Sequence, residues 1–237
     1  MLPGPDYYYR CPSCTTVVCR HSIATGNTFG AVRWSDAKFE APMLPESPAL
    51  VVCPHCNAHL WIDSLSHIGE HDWYLSSLSR VRELAAGQRP IDRDEEPPAE
   101  WRSAPQFRAP DAKDLVEALN QGFADTTQRE KYLRVHLWWS LNDPHRGDDR
   151  PQTQHGGAEA FRSNLERLAS LLDDSPNDAV LRAEIARECG SFSRSIELCD
   201  ALIGIDVEAH LRETAGLIRA RALQRDARVF RLESSTV

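Results

Sequence analysis

The chain is expected to be α+β, a small antiparallel β domain followed by an all-α helical domain, and three observations predict this. Short β-prone runs fill the chain up to Ile62, helical spacing of apolar residues takes over after Asp72, and a proline-rich acidic stretch lies between the two halves. With 237 residues, the chain is long enough for one small domain and one larger one.

The β half rests on four runs, Thr15 to Val18, Thr28 to Trp34, Ala49 to Val52 and His59 to Ile62. Pro, Gly and Asn separate them, as turns between short antiparallel strands require. Leu75, Leu78, Val81, Leu84 and Ala85 then recur at helical spacing, and Gly87 supplies a stop before Pro90, so a connecting helix is expected over 72–87. Residues 88–110 hold five prolines and the run Asp92-Arg93-Asp94-Glu95-Glu96, which predicts an extended linker without a buried face.

Six helices are expected in 111–237. Asp111 to Asn120 follows Pro110 and stops before Gly122, and Thr126 to Leu141 carries Leu133, Leu137, Trp138 and Leu141 on one face. His145 to Gly157 reads as a loop. Beyond it come Ala158 to Leu172, Pro176 to Cys189, Ser193 to Ile203 and Val207 to Gln224, separated by Ser175, Gly190 and Gly204. Val229, Phe230 and Leu232 alternate and are consistent with a short strand packing back. The domain reading is therefore 1–71, a connecting helix 72–87, a linker 88–110 and a helical domain 111–237.

A formal charge of −8 gives the chain no global positive field for a phosphate backbone. Residues 1–75 are acidic as well, with four Lys or Arg against seven Asp or Glu, so nucleic acid is not an expected partner. The Tyr7-Tyr8-Tyr9 run and Trp34 offer stacking surfaces without interleaved cations, which suits a domain core or a protein-binding patch better. No apolar stretch approaches the ~18 residues of a membrane span, and Met1-Leu2-Pro3-Gly4-Pro5-Asp6 is not a basic region followed by an apolar core. A cytoplasmic location is expected.

Four of the seven cysteines form two C-x-x-C pairs, Cys11-Pro12-Ser13-Cys14 and Cys53-Pro54-His55-Cys56. Two intervening residues let both sulfurs of a tight turn face one ion, and four thiolates complete a closed tetrahedron around zinc. One structural zinc ion held by Cys11, Cys14, Cys53 and Cys56 is the expected cofactor, with iron as the chemical rival for the same donor set. On these residues the N-terminal part resembles a zinc ribbon or rubredoxin-like knuckle domain, an antiparallel β zinc ribbon over roughly residues 8–62. It departs from that pattern in having Thr15 and Asn57 where Gly often follows the knuckle, and in the 38 residues between the pairs.

Cys19, His21, His55 and His59 lie near the knuckles and are candidates for a second metal or a ligand swap, but buried or surface packing explains them more simply. His67-Ile68-Gly69-Glu70-His71 matches H-x-x-E-H, in which a helix presents two His ligands and a general-base Glu. Gly69 disfavours that helix, and the segment reads instead as the entrance to the following helix. Cys189 and Cys199 sit on apolar helical faces as core residues. Trp138-Trp139 places one indole inward and the other nearer the surface. Arg212, Arg219, Arg221, Arg225 and Arg228 read as a solvated face offset by Glu208, Glu213 and Asp226.

The segment Arg187 to Ile196, with Gly190 at a turn and Phe192 beside it, resembles a tetratricopeptide-type helical hairpin. Ser195 stands where that family prefers Ala, and no second copy follows at its period. Together these features predict a non-catalytic, zinc-stabilised adaptor that binds another protein. The alternatives are a nucleic-acid-associated zinc ribbon and a zinc hydrolase using His67, Glu70 and His71.

Overall fold

The computed structural model describes residues 1–73, 78, 97–146 and 158–232. It is a mixed α+β structure of small antiparallel sheets and helices, divided into two compact units. The first comprises Met1–Gly30 and Ala41–Pro110, and the second Ala31–Glu40 and Asp111–Val237. Most of the expected connecting helix 72–87, residues 88–96 of the expected linker and most of the loop from His145 to Gly157 lie outside the described residues.

In the first unit, β2 (Asp6–Arg10) is the central strand of a three-stranded sheet, flanked by β3 (Val17–Arg20) and β9 (His67–His71), both antiparallel to it. The tyrosine run is this strand, and its alternation splits the rings between two faces. Tyr8 turns to one side, is almost wholly buried, and stacks on Trp101 with ring centres 4.3 Å apart. Tyr7 and Tyr9 turn to the other side, against His67. Two further antiparallel pairs complete the described sheets of this unit: β1 (Leu2–Pro3) with β4 (Ile23–Thr25), across β2 and β3 in the chain, and the hairpin β7 (Leu50–Val52) with β8 (His59–Trp61). The main core joins Tyr9, Val18, Val51, Leu60 and Phe107 around Cys11 and Cys53.

The described part of the 88–110 stretch does have a buried face. A short helix, α1 (Ala99–Arg102), carries Trp101 onto Tyr8, and the extended residues beyond it pair with strand edges. Phe107 donates its N–H to Cys19 O and Cys19 returns one to Pro105 O, while Arg108 and Val52 exchange both backbone hydrogen bonds. Prolines preclude a continuous helix here but leave the chain extended, and the two aromatics provide the apolar surface that the acidic run lacks.

The second unit contains α2 (Ala112–Asn120), α3 (Thr127–Asn142), α4 (Ala158–Leu171), α5 (Pro176–Glu188), α6 (Phe192–Ile203) and α7 (Ala209–Leu223), each within a few residues of its expected place. Caps explain several boundaries. Asp111 and Asp114 form a reciprocal capping box at α2, Thr126 accepts the Arg129 N–H at α3, and Ser175 with Pro176 opens α5. Gly190, at φ 78°, turns the chain between α5 and α6, giving the expected helical hairpin.

This unit is not all-α. Its sheet is formed by β5 (Val32–Trp34) between β6 (Phe39–Glu40) and β10 (Arg231–Leu232), so a hairpin from the N-terminal third and the end of the chain close onto each other. At the hairpin's tip Asp36 is buried, accepts from Asn142 Nδ2 at 3.0 Å, and forms a two-pronged ion pair with Arg146 at 3.1 and 2.6 Å. Trp139 donates to the Asp36 carbonyl, whereas Trp138 points inward and donates to Glu188. Burial, followed by the nearby Glu184 carboxylate, raises the Glu188 carboxyl well above its ordinary value.

Candidate metal centre

Each C-x-x-C segment forms the same turn. Cys11 N–H donates to Thr16 O and Thr15 N–H to Cys11 O, at 3.0 and 2.8 Å; Cys53 N–H donates to Ala58 O and Asn57 N–H to Cys53 O, both at 2.9 Å. The matching closure requires a left-handed residue after the second cysteine. Thr15 and Asn57 supply it, at φ 60° and 59°. Asn adopts this conformation readily; Thr does so at a cost of about 1–2 kcal/mol, which the surrounding turn must sustain.

The two turns hang from two different hairpins. The first lies between β2 and β3, the second between β7 and β8, and the shared core brings their tips together. Cys11 Sγ lies 3.7 Å from Cys56 Sγ, and Cys14 Sγ lies 3.8 Å from Cys53 Sγ. All four sulfurs fall within 4.8 Å of one another. Metal–sulfur bonds of about 2.3 Å in a tetrahedron place the sulfurs about 3.8 Å apart, whereas a disulfide needs about 2.05 Å. The cluster therefore has the spacing of a four-thiolate metal site, and none of the seven cysteines is in a disulfide.

Cys11 and Cys53 are wholly buried, Cys14 is partly covered, and Cys56 faces solvent. Contact with the Thr16 hydroxyl, then with the Thr16 backbone, holds the Cys14 thiol down to about 6. The Ala58 N–H favours ionisation of Cys56, but burial and the crowding sulfurs of Cys14, Cys53 and Cys11 outweigh it and push Cys56 up to about 12. Burial also raises Cys53. Crowded thiols cannot all ionise against one another; a cation at their centre removes that repulsion, so metal binding is coupled to proton release.

The other sequence candidates are dispersed. Cys19 is buried in β3, with its thiol directed to Ala104 O at 3.4 Å. His21 is held by Asp6 at 2.5 Å, His55 is exposed on the second turn, and His59 is buried on β8. The His67 to His71 segment is a strand, β9, and not the helix that the motif requires, with Gly69 at φ 152° beneath the Trp101 ring. Residues four apart on a strand are separated by about 13 Å, so His67 and His71 are not brought together as that motif requires. Cys199 lies in α6 and Cys189 caps the C-terminal end of α5; burial raises both thiols to about 11, in keeping with residues packed in or against the core.

Sequence reasoning missed Thr16 as the partner of Cys14; a hydroxyl two residues after a knuckle cysteine was the available signal. No family model, curated protein or solved structure matches the chain. Among the described residues no helix is long and apolar enough to cross a membrane.

Proposed function

We propose that Cys11, Cys14, Cys53 and Cys56 hold one structural zinc ion in a zinc-ribbon-like unit, and that the protein is a non-catalytic adaptor that binds another protein. The supporting observation is the donor set: four protein sulfurs within 4.8 Å of one another, two of their pairs at 3.7 and 3.8 Å, would fill all four positions around one zinc ion, unlike a catalytic zinc site with three protein ligands. A small unit whose core is organised around two of those sulfurs gains folding free energy from the ion. Exposed apolar side chains in the same unit support protein binding, chiefly Phe29, 87% exposed, together with Leu2, Met43 and Leu44.

Two measurements test this. Elemental analysis of protein purified without added metal should give one zinc per chain, and none in Cys53→Ser; iron in its place would refute the choice of ion, and metal retained by the variant would refute the site. Affinity purification should recover a stoichiometric protein partner with the native chain that is lost with Phe29→Ser/Leu44→Ser, a variant that keeps its zinc. Equal recovery with both chains, or no partner with either, would overturn the adaptor reading.

A further inference from the structure

A cleft of about 470 Å³ opens in the first unit between Tyr7 and Tyr9 of β2, the stretch Arg20-His21-Ser22-Ile23, and Leu44, Pro45 and Ser47. We propose that it binds the free C-terminal carboxylate of a partner polypeptide whose last side chain is aliphatic; this rests on the adaptor reading and names the chemistry of its partner.

The wall of the cleft follows from register. Tyr7 and Arg20 are directly opposed in the antiparallel β2–β3 pair, so their side chains share one face, and Tyr9 lies two residues along on that face. The His67 ring sits 5.7 Å from Tyr7 and 5.6 Å from Tyr9, backing both phenols. Ile23, Leu44 and Pro45 also line the cleft and provide aliphatic surface, Leu44 being 44% exposed. A guanidinium and aromatic rings together with aliphatic carbon in one cleft suit a terminal residue, which brings a carboxylate and an apolar side chain.

Charge selects the ligand. Arg20 makes no ion pair among the described residues, although the chain carries eight more negative than positive charges. Its neighbours are engaged: Arg10 donates to Thr15 O and Glu100, and His21 is held by Asp6. A single planar guanidinium with two adjacent donors suits one carboxylate bidentately. A nucleic-acid strand needs a track of several cations, and here the residue next to Arg20, His21, is already held by Asp6, so a polyanion is disfavoured. An internal peptide segment supplies no terminal carboxylate for Arg20.

The test uses the full chain and a labelled Gly/Ser peptide ending in Leu, prepared with a free C-terminus and as the amide. Binding is read by fluorescence anisotropy and by chemical-shift changes at Tyr7, Tyr9 and Arg20. Hydrogen bonds to a charged carboxylate should make the free acid bind about ten- to hundredfold tighter than the amide. Arg20→Gln should abolish that preference and Arg20→Lys should retain part of it, with zinc content and circular dichroism unchanged in both. Equal binding of acid and amide, no shift at these residues up to millimolar peptide, a preference that survives Arg20→Gln, or tighter binding of a single-stranded oligonucleotide would each overturn the proposal. If a protein partner still co-purifies with Arg20→Gln at full yield, the cleft assignment fails while the adaptor reading stands.

Discussion

Replacing Asp36 with Ala tests the reasoning about the second unit most directly. The Asp36 side chain is fully buried and that of Arg146 is 6% exposed; they meet in two hydrogen bonds, and the Arg146 guanidinium also lies over the Trp34 ring at 4.9 Å. Removing one member of a buried pair strands the other charge, at a cost of about 3–5 kcal/mol. Asp143 keeps a 2.7 Å bond to Arg146 Nε, and this half-exposed carboxylate places the expected loss near the lower end, about 3 kcal/mol. For a chain of this size that lowers the melting temperature by about 6–12 °C. Thermal and urea unfolding followed by helical circular dichroism measures it. In a cycle with Arg146→Ala, the double variant should be at least ~2 kcal/mol more stable than the sum of the single losses implies, because neither charge is then stranded. A coupling below about 0.5 kcal/mol would refute the idea that this ion pair anchors the hairpin.

Three further outcomes follow from other parts of the structure. Glu130 is held down to about 2, first by the Arg167 hydrogen bond and then by Arg134, so its folded value lies below the ordinary 4.5. Its stabilisation is therefore complete above 4.5 and lost as pH falls toward 2, and Glu130→Gln should flatten the stability profile in that window, as measured by urea titrations at successive pH. The Ser195 hydroxyl is fully buried and, among the described residues, only the weakly bonding Cys199 thiol faces it, so Ser195→Ala should leave stability unchanged or raise it by up to about 1 kcal/mol in the same unfolding assay; a clear loss instead would show that the hydroxyl is well satisfied. Phe107 packs into the core around Cys11 and Cys53, and Phe107→Ala should cost about 3–5 kcal/mol and weaken metal retention against a chelator, whereas unchanged retention would show that the site forms without this segment.

The sequence was most legible where the signal was local. All six helices after Asp111 were readable because their boundaries are marked locally: Asp111, Thr126 and Ser175 cap three of them, and Gly122, Gly190 and Gly204 stand where helices stop. The knuckles were readable for the same reason: a C-x-x-C turn closes on itself, and even the left-handed Thr15 and Asn57 follow from their position in it. The strands β2 and β9 were not. Three consecutive tyrosines give no alternation, and His67 to His71 imitates a helical motif; what makes both strands is the partner each finds across the sheet.

By itself, then, the sequence determined the helices, the capping residues and which four cysteines could share an ion, since each depends on spacing within a few residues. Tertiary structure alone decided that residues 31–40 join the helical unit, that Trp101 and Phe107 give the proline-rich stretch a buried face, and that Arg20 stands opposite Tyr7 in an open cleft. Those arrangements arise when segments far apart in the chain bury apolar surface and pair charges together, and no local pattern encodes which distant segment will be there.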